Sequence, residues 1–567
     1  METSKDQKVA YFSMEIALES DIPTYSGGLG VLAGDTIRSA ADLGVPMVAV
    51  TLTYSGGYFY QMIAPDGRQV ERPLRWTFSV DFKKLDKKVK MKLQDKELFI
   101  GAWQYDVRGR SGHSIPVILL DSDIEENENE PWMQQLTGAL YDASPFQRVV
   151  QEMILGVCGC RMLKELGYMP DTYHLNEGHA AFIVFELLEK LGSIDAVKKK
   201  CSFTTHTPVR AGHDKFGYDL IRDVFRDRLP DSYMDLAGKE ECNMTLLALN
   251  GSRYCNGVAK KHGEISRRMF PGYEIDHITN GIHMSFWLSP YMHLLFDEDL
   301  GSAWHYNYNS LNGALNLNSN HVWRAHMKAK LDLLDYQKSH SPVLLDEKLL
   351  TIGFARRVAE YKRMLLIFSD LERLAKIAKG KVQFISAGKA HPADHQSKGM
   401  IKNIHDFSDY LWNSYRIGLC WLSNYDMDLA KLMTTGVDVW LNTPRRYREA
   451  SGTSGMKAAL NGVLNFSILD GWWIEGYEMD PMAGWAIGPG PDDPDAENKS
   501  DKDDAEDLYV KLEDEIVPIW RKNQTEWRER MKHAIKLISF FNTHRMVEEY
   551  AKKAYLLERQ PLWNSLA

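Results

Sequence analysis

The chain has 567 residues, 44% of them apolar and 26% charged, the balance of an ordinary globular protein. At about 100–200 residues per domain this is room for three or four units, or for two large ones, and a disordered chain, a collagen repeat or a disulfide scaffold is excluded. The net charge of −9 gives no global attraction for nucleic acid or an anionic membrane, so an anionic substrate needs a local positive cluster. The six cysteines form no C-x-x-C and read as reduced thiols. The first residues carry no apolar leader core. The uncharged run 43–65 holds too many Gly, Ser, Thr, Gln and Tyr for a membrane span. A cytoplasmic protein is expected.

In chain order, KVAYFSMEIAL predicts a buried first strand, followed by a glycine-rich loop, Pro23 to Gly30. Leu32, Ala33, Ile37, Ala40, Ala41 and Leu43 then recur at helical spacing, and VPMVAVTLTY predicts a second strand. This is a βαβ unit with its glycine loop at the strand-to-helix turn. Residues 81–100 alternate Lys with apolar residues and predict one half-exposed strand, and 121–130 is an acidic loop. Helices dominate to about residue 191, CSFT at 201–204 predicts a strand, and 301–340 reads as a helical connector. LLTIGF (349–354), VQFISAG (382–388) and VDVWLN (437–442) restart a strand and helix alternation, so a second α/β domain is placed at 341–535 after a first at 1–340, with terminal helices at 536–567. The acidic stretch from 488 to 507 reads as a solvated loop.

Three segments carry chemistry. In RRYREASGTSGMK (445–457), small residues let the backbone approach a ligand, and a helix starting near Thr453 aims its amides at an anion. Lys457 sits one turn into that helix among Met456, Ala458, Ala459 and Leu460, where an amine is better kept neutral; it is a candidate nucleophile for an aldehyde cofactor. In GFARRVAEYKR (353–363), four cations at a predicted helix start oppose the helix dipole and suit two phosphate groups. SGGLG (26–30) is too compact for a dinucleotide fingerprint and fits an oxyanion nest. His174 and His179, five apart, and His206 and His213, flanking a Pro-containing loop, lack the spacing of a zinc pair, so no metal is expected. Glu177 and Glu449 leave paired-carboxylate glycoside hydrolysis open.

Together these segments resemble the α-glucan phosphorylases. EASGTSGMK (449–457) is similar to the family's pyridoxal-phosphate lysine motif, usually EASGTxNMK, and ARRVAEYKR (355–363) to its phosphate-binding VKRIHEYKR. SGGLG, HLNEGHAAF (174–182), THT (205–207), NGVAKKH (256–262), TNGI (279–282), AGKAHP (387–392) and NYDMDLA (424–430) recur in the family's order. The resemblance implies an α/β fold of GT-B architecture, two Rossmann-like domains facing across a catalytic cleft, with the last helix crossing back to the first. It implies phosphorolysis of terminal α-1,4-glucosyl units of a glucan or maltooligosaccharide by inorganic phosphate, giving glucose 1-phosphate with retention.

Carried over by position, Lys457 forms the Schiff base with pyridoxal 5′-phosphate, whose phosphate exchanges a proton with substrate phosphate. Arg356, Lys362 and Tyr425, with the Gly27 and Gly28 amides and Thr453, surround the cofactor phosphate. Arg357 and Lys362 hold substrate phosphate. Glu449, Ser451 and Gly452 take the sugar 3-hydroxyl, His206 and Asn280 the 6-hydroxyl, and Tyr361 the 2-hydroxyl; the His206 carbonyl lies near the anomeric carbon. Asn176 and Glu177 complete the expected substrate site. Arg356, Gly455 and Glu177 replace the family's usual Lys, Asn and Asp. The shortness of the chain predicts no N-terminal phosphorylation control, and the family sets the expectation of a homodimer. The competing readings are a nucleotide-sugar glucosyltransferase such as a glycogen synthase and a non-catalytic glucan-binding protein.

Overall fold

The computed structural model describes residues 8–141 and 144–557. The chain forms two compact units, one of residues 1–59, 73–278 and 546–567, the other of 60–72 and 279–545. These limits differ from those expected at 340 and 535: the helical connector, including the 22-residue helix Ser319–His340, packs within the second unit. Of the expected terminal helices, Thr543–Lys553 enters the first unit from residue 546, and 558–567 lie outside the described residues.

The first unit is built on a nine-stranded sheet in the order Asp276–His277, Tyr254–Gly257, Cys201–Thr204, Thr172–Asn176, Val9–Ser13, Met47–Leu52, Ser114–Asp121, Lys96–Arg108, Phe82–Leu93. The first seven run parallel, Lys96–Arg108 runs antiparallel to them, and Phe82–Leu93 pairs antiparallel with Lys96–Arg108. Val9–Ser13 is buried along its whole length because both faces are covered: Val9 and Tyr11 join one core cluster, Ala10 and Phe12 the other. The predicted strand at 81–100 is instead a hairpin. Its lysines face solvent on Phe82–Leu93, and the chain turns at 94–95 into Lys96–Arg108.

The second unit carries six parallel strands in the order Leu419–Leu422, Val382–Ala387, Leu350–Ala355, Val439–Asn442, Leu464–Ile468, Gly484–Ile487. Numbered along the chain this is 3-2-1-4-5-6, a doubly wound sheet whose direction of travel reverses between Leu350–Ala355 and Val439–Asn442. The first unit reverses in the same way between Val9–Ser13 and Thr172–Asn176. At such a point the loops leaving the two strand ends diverge to opposite faces and open a crevice for a ligand.

The antiparallel hairpin Tyr60–Ile63 and Gln69–Arg72 belongs to the second unit although its flanks belong to the first. Two buried glutamines fix it there. Gln61 Nε2 donates to Gly388 O at 2.7 Å, its Oε1 accepts Asn424 N at 2.8 Å, and its own N–H reaches Asn424 Oδ1. Gln69 brackets Ala390, donating to its carbonyl at 2.9 Å and accepting from its amide at 3.0 Å.

Candidate functional site

The predicted anion segment leaves the end of Leu350–Ala355, at the reversal point of the second unit. It is not a helix start. It is a loop closed by one 3-10 turn, Glu360–Lys362, so its cations escape the unfavourable end of a helix dipole. Backbone bonds from Arg356 N to Ala387 O and from Val358 N to Lys389 O tie it to the AGKAHP loop. Gly388 is needed in that loop, since a Cβ there would lie 2.2 Å from Arg356 O.

Arg356 spans the reversal point. Its guanidinium donates to Asn442 Oδ1 and, at 2.6 Å, to Leu441 O on the neighbouring strand, while Nε is buried without a partner. Burial pushes its pKa down, with Glu449, Tyr361 and Tyr425 opposing. Tyr425 has its phenol pKa raised by burial. Lys389, given no role by the sequence, is brought down to about 8 by burial. Arg357 is exposed, and its charge adds to burial in lowering the His391 pKa.

Lys362 forms an ion pair with Glu449, each side chain only about a tenth exposed, and its ammonium lies 4.9 Å from the Tyr361 ring centre. Glu449 is positioned from below by Asp470, which the sequence did not single out. Asp470 accepts the Glu449 amide at 2.9 Å and the Gly471 amide at 2.8 Å. Burial, with the Glu449 charge adding to it, pushes the Asp470 carboxyl up to about 8. Ser451 O accepts Trp472 N at 2.9 Å, and a Cβ on Gly471 would strike that carbonyl at 2.3 Å. The Asp470-Gly471-Trp472 corner therefore fixes the loop 449–452.

Gly452 takes φ +84, which an L side chain resists, and starts the helix Thr453–Leu460. Lys457 is buried on it, 6% exposed, with its ammonium 3.6 Å from the Trp287 ring centre. Gly455 stands where the related motif has Asn because a Cβ would meet Asn465 Oδ1 at 2.4 Å and Trp472 Nε1 at 2.9 Å. Among the buried acceptors without a partner in the described residues of this unit are Ser451 Oγ and Asn280 Oδ1. Asn280 is held by its backbone, whose carbonyl accepts Arg545 Nη2 at 3.3 Å.

The acidic stretch is not the solvated loop expected. Asp504, 1% exposed, pairs with Arg363 at 2.8 Å and with Arg446 at 2.7 Å, and Asp501 pairs with Arg363 and Arg445. Arg445 also bonds Glu360 at 2.7 Å. These arginines brace the two loops against each other.

The first unit supplies a second constellation at its own reversal point. Ser13 Oγ donates to Glu15 O and accepts Asn176 Nδ2, so Asn176 Oδ1 faces His206 Nε2 at 2.7 Å. His206 thus carries its proton on Nε2 and keeps Nδ1 as an acceptor. Burial and neighbouring histidines hold its pKa at about 3, so the ring is neutral. Glu177, at φ +71, is occupied by its surroundings: Oε2 accepts His206 N at 2.6 Å and Thr207 Oγ1 at 3.1 Å, and Oε1 accepts Gly178 N. It holds the His206 loop. The glycine nest is occupied as well. Glu15 Oε2 accepts Ser26 N at 2.6 Å and Gly27 N at 3.1 Å, and Tyr141 holds Oε1 at 2.8 Å. The Gly28–Leu43 helix leaves its first amides beyond that carboxylate. His174 is structural, bonded to Tyr555 and Thr204.

Two doubly wound parallel units, each with polar side chains at its reversal point, make up the GT-B class of glycosyltransferase folds. A profile of the family described as carbohydrate phosphorylase matches residues 226–479. The maltodextrin phosphorylase of Thermococcus litoralis is 39% identical over 97% of this chain and 70% of its own length. The glycogen phosphorylases of Aquifex aeolicus and Mycobacterium tuberculosis are each 34% identical, over 98% and 96% of this chain and 87% and 70% of theirs. The chain belongs to the carbohydrate phosphorylase family.

Proposed function

We propose that the protein is an α-1,4-glucan phosphorylase. It transfers the terminal glucosyl unit of a maltooligosaccharide or glucan to inorganic phosphate, reversibly and with retention, and uses pyridoxal 5′-phosphate held by Lys457. The observation that carries this reading is the meeting of Arg356, Lys362, Glu449 and the Lys457 helix where two neighbouring strands end. Cations and a carboxylate side by side suit a phosphate beside a sugar.

The donor set fits the cofactor: a buried amine on an aromatic face, a helix start behind a positive-φ glycine, and an arginine with a buried unsatisfied Nε. When bound, pyridoxal phosphate supplies a phosphate whose second pKa of about 6 suits proton exchange at neutral pH. Arg356, always charged, offsets phosphate charge without sharing a proton. Arg357 and Lys362 hold the substrate phosphate, and Lys362 is released to it from Glu449. Glu449 then accepts the sugar 3-hydroxyl, with Asp470 keeping its backbone in place. Asn280 Oδ1 and Ser451 Oγ are buried acceptors that a hydroxyl donor satisfies. His206, kept neutral, adds no positive charge where the sugar becomes cationic, and Nδ1 accepts a hydroxyl.

Glucose 1-phosphate release from a linear maltooligosaccharide, with and without inorganic phosphate, tests the reading. Phosphate-dependent product that disappears in Lys457→Ala is expected. No product from cofactor-loaded wild type would overturn the α-1,4-glucan assignment and turn attention to nucleotide sugars.

A further inference from the structure

Away from the strand ends, the second unit brings together two imidazoles and a carboxylate that neither the fold core nor the proposed reaction uses. His293 and Asp297 stand one turn apart on the helix Pro290–Asp299, and His305 closes the 3-10 helix Ser302–His305 that follows. His293 Nδ1 lies 3.2 Å from Asp297 Oδ2, and His305 Nε2 lies 3.1 Å from Asp297 Oδ1. One donor atom from each of the three residues falls within 4.8 Å of the others. We infer that His293, Asp297 and His305 form a binding site for a divalent transition-metal ion, zinc being the probe of choice.

Metal–ligand bonds of about 2.0–2.2 Å in a tetrahedron put donor atoms roughly 3.3–3.6 Å apart; the three donor atoms now lie within 4.8 Å of one another, so ion entry draws the side chains together by up to about 1 Å. Two nitrogens and one carboxylate oxygen suit zinc, cobalt or nickel rather than calcium or magnesium, which require a shell of oxygens. His293 and Asp297 are about a third exposed, which gives the ion an entry path and leaves a coordination position for water. The outer groups have the arrangement that orients ligands. Ser285 Oγ bonds His305 Nδ1 at 3.2 Å, which directs Nε2 to the ion, and Trp304 Nε1 donates to Asp297 Oδ1 at 2.9 Å. Trp304 is fully buried and packs on both imidazoles, so they have a rigid wall. Ser285 lies on the helical turn Met284–Trp287, whose Trp287 forms the face beneath Lys457. An ion on His305 braces that turn from behind.

The test uses the full chain stripped with a chelator and then titrated with zinc by calorimetry. One equivalent is expected to bind, and Asp297→Asn or His305→Gln, which removes a ligand, is expected to weaken binding by more than the roughly 10–100-fold that loss of an outer-shell partner costs. His340→Gln, at an exposed histidine elsewhere in the unit, leaves it unchanged. A wild-type measurement needs no variant to fold: mass mapping of histidine acylation with and without zinc. Protection of His293 with continued labelling of His277 and His340 supports the site. Equal labelling of His293 in both samples, no zinc uptake by folded wild type, or uptake unchanged in both variants overturns it.

Discussion

Replacing Asp470 by asparagine isolates the charge state of the group that holds Glu449. In the folded chain its carboxyl is pushed up from 3.8 to about 8, chiefly by burial and then by the Glu449 charge. A displacement of about four pH units corresponds to roughly 5–6 kcal/mol against the ionised form at about 1.36 kcal/mol per unit. The sign follows from proton counting. Between about pH 4 and 8 the folded state keeps a proton that the unfolded state has lost. Wild-type stability from this group is therefore complete below the unfolded value and declines by about 1.4 kcal/mol per pH unit until pH reaches about 8. Asparagine does not titrate, so the difference between wild type and variant removes every other ionisable group from the comparison. Its amide can accept only one of the two backbone N–H groups that Asp470 accepts, and stranding the other costs about 1–3 kcal/mol.

Urea unfolding followed by tryptophan fluorescence reports this region directly, because Trp472 and Trp473 lie beside Asp470 in the sequence and are buried. At pH 5.5 the variant is expected to be the less stable. By pH 7.5 the gap should have moved by about 2–3 kcal/mol in the variant's favour. In a Glu449→Gln background the same change should end at lower pH and be smaller between pH 5.5 and 7.5, since one of the causes raising the folded value of Asp470 is gone. Stability differences that stay parallel from pH 5.5 to 7.5 would refute a protonated Asp470.

Other consequences are equally direct. Gly455→Asn, which restores the residue usual in the related motif, should destabilise by about 1–3 kcal/mol through overpacking against Asn465 and Trp472, read as a lowered melting temperature. Lys330, fully buried, bonds Asp438 at 2.6 Å; Lys330→Met should lose about 3–5 kcal/mol in denaturant unfolding, because an uncompensated carboxylate remains. Lys330 and His326 hold Asp438 below its usual carboxylate value despite burial, so this stability is present at neutral pH and should vanish as acid titration passes down through the folded value. Gln61→Ala removes the acceptor of the Asn424 amide and the donor to Gly388 O; faster hydrogen exchange at Asn424 and a lowered kcat are expected, with urea stability falling by about 1–3 kcal/mol.

The strands were legible because both faces of a parallel sheet are buried, so VAYFS, MVAVTL and LTIGFA appear as uninterrupted apolar or small runs. The loop 449–457 was legible because its small residues, glutamate and lysine are contiguous. What escaped depends on partners far away in sequence. Gln61 and Gln69 look like ordinary polar residues of a hairpin, and only the carbonyls of Gly388 and Ala390 make them a clamp. Asp501 and Asp504 looked solvated because Arg363 and Arg446, which neutralise them, lie about 60–140 residues earlier. The unit limits at 278 and 545 escaped because no composition change marks them. Glu15 gives no sign in sequence that it will fill the glycine nest, and His293 and Asp297 show their shared face only once the helix Pro290–Asp299 is recognised.

The displaced hairpin also bears on synthesis. Residues 60–72 leave the ribosome long before the loops at 388–390 and 424 that satisfy Gln61 and Gln69. At about 5–20 residues per second the wait is roughly 20–70 s. Within the hairpin Gln61 Nε2 reaches Gln69 Oε1 at 2.8 Å, but during that time the groups that later meet Gly388, Ala390 and Asn424 have only water or the wrong partners. The second unit cannot therefore mature as an autonomous C-terminal segment: its last contacts are made with some of the oldest residues of the nascent chain. A fragment cut at 279 would lack those residues, whereas supplying 60–72 in trans as a peptide offers a way to time the closing step of its folding.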